Sequence, residues 1–129
     1  MPNVTLNALP AGTNNIGDVD IAEKTLVQIS GTKNGSGDNS LVATPGAGYR
    51  LVVSAFVIQN ESSTATTMQL INGTGGAGWR CLGQNQGDGL AMNLPAGRCW
   101  KLTENTALIL NLSGANACGY SVSYYVEAI

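Results

Sequence analysis

The chain has 129 residues, one domain's worth, and only 11% of them are charged, well below the roughly 25% of ordinary soluble domains. Its net charge is −2, its six Lys and Arg are scattered, and it has no His, which excludes a basic nucleic-acid-binding stripe and any catalytic imidazole. A hydrophobic fraction of 43% argues against disorder, and no apolar run approaches the roughly 18 residues of a membrane span.

Residues 1–22 stand apart. Met1-Pro2-Asn3-Val4-Thr5-Leu6-Asn7-Ala8-Leu9-Pro10 leads into Ala11-Gly12-Thr13-Asn14-Asn15-Ile16-Gly17. The prolines and glycines exclude a helix and weaken any regular strand. Val4, Leu6, Leu9 and Ile16 are spaced as in an extended segment lying on a surface. Residues 1–22 therefore read as an N-terminal arm, either folded back on its own domain or docked on a neighbouring subunit. No charged start precedes an apolar stretch, so no signal peptide is expected.

A domain over 23–129 follows. Strand signals recur at Asp18–Ile21, Thr25–Thr32 and Ser40–Ala43, with Lys33–Asp38 as a loop around Asn34-Gly35. The run Arg50-Leu51-Val52-Val53-Ser54-Ala55-Phe56-Val57-Ile58-Gln59-Asn60 is the longest apolar stretch. In simple alternation one face holds Leu51, Val53, Ala55 and Val57 and the other Val52, Ser54, Phe56 and Ile58. Both are apolar, so the run reads as a central strand buried on two sides. Further strands are expected at 65–71, 78–82, 89–94, 99–102 and 106–112, the last with Leu108, Leu110 and Leu112 on one face. The final strand alternates most cleanly, with Cys118, Tyr120, Val122, Tyr124 and Val126 on one side. Eight to ten short strands with turns about every ten residues mark an all-β, two-sheet β-sandwich. Jelly roll is preferred to an immunoglobulin-like order, because a long central and a long final strand can pair in it and no Cys-Trp-Cys spacing is present.

Chemistry is sparse. The acids Asp18, Asp20, Glu23, Asp38, Glu61, Asp88, Glu104 and Glu127 lie mostly in or beside turns, where they cap backbone or face solvent. Asp18-Val19-Asp20 and Gly37-Asp38-Asn39 are the best calcium candidates, but neither follows an EF-hand pattern. Gly73–Gly78 lacks the Lys-Ser/Thr and the helix of a phosphate loop. Cys81, Cys99 and Cys118 form no CxxC pair and read as small hydrophobes in a reducing cytosol. Trp79 and Trp100 read as core or subunit-contact aromatics, with a sugar-stacking platform as the alternative. Arg80 and Arg98 have Asp88 and Glu104 as candidate ion-pair partners. No catalytic residue, metal site or cofactor is expected, so the chain reads as a non-enzyme.

The stretches Asn7–Asp20, Trp79–Met92 and Asn111–Asn116 resemble segments of small structural proteins of tailed bacteriophages. That resemblance implies a virion component. It fits a capsid decoration, or cement, protein: a small β-sandwich, made in the host cytoplasm, that trimerises on the outer surface of a phage head. Its expected partners are the major capsid protein and itself, as a homotrimer, with no nucleic acid and no membrane. Val4, Leu6, Leu9 and Ile16 are then the arm's anchors. The alternative is a receptor- or glycan-binding head domain of a tail fibre or other tail component, with Trp79 or Trp100 exposed.

Overall fold

The computed structural model describes residues 25–129. The arm positions Val4, Leu6, Leu9 and Ile16, the Asp18-Val19-Asp20 candidate and the boundary at 22/23 lie outside the described residues. Among the described residues there are nine strands and no helix: β1 (Val27–Lys33), β2 (Gly37–Val42), β3 (Tyr49–Asn60), β4 (Thr66–Asn72), β5 (Gly78–Gly83), β6 (Gly89–Asn93), β7 (Trp100–Lys101), β8 (Leu108–Leu112) and β9 (Cys118–Ala128). β2 starts at Gly37, inside the stretch read as loop.

Two antiparallel sheets form a β-sandwich. One has the order β1-β9-β3-β6, with β7 also on β3, and the other has the order β2-β8-β4-β5. Four of the pairings are nested: β1 with β9, β2 with β8, β3 with β6 and β4 with β5. They describe one long antiparallel ribbon folded back at the β4–β5 turn. Winding this ribbon lays β9 on β3 and β8 on β4.

The core follows from alternation, with one correction. On β3 the register steps from Val53–Tyr124 to Ala55–Ser123, so Ser54 is the extra residue of a β-bulge. The Ser54 hydroxyl donates to the Ser123 carbonyl at 3.1 Å, and its own carbonyl accepts from the Leu94 amide at 2.8 Å. The bulge reverses the phase of the strand. Leu51 and Val53 share the core face with Phe56 and Ile58, while Ala55 and Val57 point out, Val57 being 45% exposed. The expected grouping of Leu51, Val53, Ala55 and Val57 is therefore wrong. Burial on both faces holds only over Leu51–Val53.

Met68 and Leu70 of β4, Leu108, Leu110 and Leu112 of β8, and Cys118 and Val122 of β9 complete the buried interior with Leu102. Each large apolar side chain so buried contributes roughly 1.5–3 kcal/mol before entropy is set against it. Tyr120 and Tyr124 pack on this core as their spacing implies, whereas Val126 is half exposed.

The sandwich is closed unequally at its two open sides. Along the β5 and β6/β7 edges Trp79 lies 5.6 Å from Phe56 and meets Trp100 edge to face at 6.5 Å, ring centroid to centroid. Along the β1 and β2 edges, among the described residues, Ile29, Leu41 and Val42 pack against the core, each partly buried.

The bulge makes an energetic contrast between neighbours. Phe56→Ala should lower the unfolding free energy by about 3–5 kcal/mol. Val57→Ala should lower it by no more than about 1 kcal/mol. Urea unfolding of the two variants measures both, and similar losses would contradict the phase reversal.

Candidate functional site

The outward side of the β1-β9-β3-β6 sheet is an organised surface spanning four strands. The register builds it in three transverse rows: Thr32, Gly119, Gln59 and Gly89; Ser30, Ser121, Val57 and Ala91; then Gln28, Ser123, Ala55 and Asn93. None of these residues is charged. The surface exists because the bulge turns Ala55, Val57 and Gln59 outward while β9 presents glycine and serines at the same level.

A shallow depression of about 300 Å³ lies at one end, lined by Ser30, Thr32, Ser121, Val57, Gln59 and Glu61 among others. A neighbouring hollow adjoins it beyond Gln59, toward Gly87 and Leu90. Gly119 forms part of the floor, and a Cβ there would collide with the Glu61 carboxylate lying over it. Thr32 Oγ1 donates to Glu61 Oε2 at 3.5 Å, and Gln59 Nε2 donates to the Gly87 carbonyl at 3.1 Å. The lining thus offers hydroxyls, one amide and one carboxylate.

Asn60 holds the rim. Its side chain is fully buried. Nδ2 donates to the carbonyls of Gly83 at 2.9 Å and Thr64 at 3.0 Å, and Oδ1 accepts from the Ser62 amide at 3.0 Å. Its backbone amide donates to Asp88, and its carbonyl accepts from Gly87. Next to it the Glu61 amide donates to Ala117. One residue pair thereby ties the loops 61–65, 84–88 and 113–117 together.

The other end of the sheet carries charge. Arg50 Nη2 and Nε both reach Glu127 Oε2 at 2.6 Å, and Lys101 Nζ lies 3.7 Å from the same oxygen. Arg50 and Glu127 face each other across the ladder. The sites are partly exposed, so this trio contributes little stability and mainly leaves a local positive excess. Burial, and then the Glu127 charge, raise the pKa of Tyr125 beside it.

The remaining candidates are bound to their own chain. Asp38 accepts from Asn111 Nδ2 at 2.6 Å, and Asn39 Nδ2 donates to the carbonyls of Gly35, Gly37 and Leu110. That stretch is closed on backbone instead of forming an ion cage. Asp88 caps the Asn85 amide and Glu104 accepts from the Gly48 amide, so neither pairs with Arg80 or Arg98. No group of three or more His, Cys, Asp or Glu converges among the described residues. Trp79 and Trp100 sit opposite Leu70 and Val53 in the ladders and so face inward. Cys118 is buried with its sulfur 3.2 Å from Met68 Sδ, whereas Cys81 and Cys99 are half-buried.

Scanned against protein-family models, the chain matches none, and no curated protein matches it at a significant level.

Two outcomes follow from buried polar groups. Asn60→Ala should cost about 1–3 kcal/mol for each buried partner it orphans, read by urea unfolding. Burial also pushes the Cys118 thiol from an ordinary 9.0 up to about 11. The unfolded chain therefore loses this proton first as pH rises. The corresponding stability is complete below pH 9.0 and is lost toward about pH 11. Cys118→Ala should flatten the fall in stability over that interval, measured by unfolding at stepped pH.

Proposed function

We propose that the chain is a non-enzymatic virion structural protein, a capsid decoration or cement protein that binds the outside of a phage head and stabilises it. The observation that carries this reading is the three-row outer surface of the β1-β9-β3-β6 sheet. Its three rows hold no charged residue and stand on a rigid ladder, with charge only at the two ends, at Glu61 and at Arg50, Glu127 and Lys101. Covering such a surface removes hydroxyls, amides and methyls from water, which costs far less than stripping paired charges. A protein that must sit on a lattice through many repeated contacts needs this kind of surface.

The sequence resemblance adds the phage context. Of its described stretches, Trp79–Met92 contributes Gly83, Gly87 and Asp88, which bond to Asn60, and Asn111–Asn116 ends beside Ala117, whose carbonyl accepts from the Glu61 amide. In this reading the domain trimerises, the major capsid protein is its partner, and Val4, Leu6, Leu9 and Ile16 anchor the arm. Deleting residues 1–17 should leave the domain folded by circular dichroism and weaken co-sedimentation with purified heads at least tenfold. Wild-type binding by the deleted form would refute the arm's role.

A second reading, the receptor- or glycan-binding head of a tail fibre, is favoured by the depression at Ser30, Thr32, Ser121, Gln59 and Glu61, whose lining suits a hydroxylated ligand. The inward tryptophans deprive it of an aromatic platform. A glycan array separates the two: saturable hits abolished by Ser121→Trp favour the fibre head, and a blank array favours the decoration protein.

A further inference from the structure

We infer that Asn34 is a site of spontaneous covalent modification, where the side-chain amide is lost and the main chain is rerouted through an isoaspartyl linkage. The inference is independent of the function proposed above.

The sequence holds two Asn-Gly pairs, Asn34-Gly35 and Asn72-Gly73. Glycine lacks the Cβ that would hinder approach to its backbone nitrogen, so such pairs are prone to ring closure. The glycine nitrogen attacks the Asn side-chain carbonyl carbon. A new C–N bond closes a five-membered succinimide, and ammonia leaves with the amide proton of the glycine. Water then opens the ring at either carbonyl, giving aspartate or isoaspartate. One water is consumed and one ammonia released, and nothing is oxidised or reduced. The step requires that the side chain and the glycine nitrogen be free to meet.

The fold holds one pair apart. Asn72 closes β4 and pairs with Leu108 of β8. Its Nδ2 donates to Thr103 Oγ1 at 2.9 Å, and its Oδ1 accepts from the Thr103 amide at 3.1 Å. The Gly73 amide donates to the Ala107 carbonyl at 3.0 Å. The attacking nitrogen and the side chain it would attack are thus both engaged elsewhere. Reaction at Asn72 waits on local opening of these bonds.

The other pair is presented differently. Asn34 is exposed and lies in the connection between β1 and β2, outside either strand. What is fixed there is the next link. Asn39 Nδ2 donates to the carbonyls of Gly35 at 2.8 Å and Gly37 at 3.2 Å. A Cβ on residue 35 would lie 2.8 Å from Asn39 Oδ1. The clasp that starts β2 therefore demands glycine at 35. The same missing Cβ opens the Gly35 nitrogen to the Asn34 side chain, so the reactive pair is a by-product of the clasp.

The product changes the molecule at a defined place. A carboxylate replaces a neutral amide in a chain whose formal net charge is only −2. The isoaspartyl form also lengthens the main chain by one methylene. That insertion falls between Lys33, the last β1 residue paired with β9, and the Asn39 clasp.

The test is peptide mapping by mass spectrometry of the full-length protein aged in mildly alkaline buffer, with a parallel sample in guanidinium chloride. Trypsin places the two asparagines in separate peptides, 34–50 and 51–80. In the folded protein Asn34 should convert at least tenfold faster than Asn72, with isoaspartate as the main product. In guanidinium chloride Asn72 should accelerate until the two rates converge. Equal rates in the folded protein, or a faster Asn72, would overturn the inference. So would a difference that persists unchanged in guanidinium chloride, because the flanking Lys33 and Ile71 would then set it instead of the fold.

Discussion

The ladder between β3 and β9 is the constraint on which the remaining structure depends. Eleven register pairs join the two longest strands. β9 then carries β1 on its other side, and β3 carries β6 and β7. The bulge at Ser54 is what lets one strand serve both core clusters. Leu51 and Val53 enter the larger cluster from one half, and Phe56 and Ile58 face the same interior from the other. Without the extra residue, one half of β3 would present its apolar side to solvent, because a one-residue slip exchanges the faces of a strand. The same residue creates the outer surface, since it turns Ala55, Val57 and Gln59 away from the core.

Much of this architecture was legible in the chain itself. Period-2 alternation in β8 and β9 marks the core residues directly, and glycine-rich turns set off the strands between them. The bulge was not legible. Val52, Val53, Ala55, Phe56 and Val57 are apolar in either phase, so the sequence pattern cannot tell which half is inverted, and only the pairing with Ser123 and Tyr124 decides it. The Asn60 hub was hidden for a related reason. Asn at a strand end reads as a turn former, and its bonds to Gly83 and Thr64 depend on loops brought together by the fold. Arg50 and Glu127 are far apart in sequence and become partners only through the β3–β9 register. The arm's four anchors are a pattern in the sequence alone.

The chemistry of the described residues is directed inward. Asp38, Asp88 and Glu104 bond to the chain's own amides, Cys118 is buried among sulfur and leucine, and both tryptophans pack against the core. Every buried polar side-chain atom among the described residues has a partner. The described residues leave a sheet face whose three rows carry no charge, with a shallow hollow at one end and a positive excess at the other. In the proposed mechanical role, a domain with so few charges would work through repeated weak contacts, which sum when many copies are held on one lattice.

The most direct test of that role is the temperature at which DNA-filled heads release their DNA, followed by dye fluorescence with and without a saturating amount of the full-length protein. The account predicts that bound protein shifts release upward by several degrees. Stoichiometric binding with an unchanged release temperature would contradict it, since the protein would then occupy the head without strengthening it.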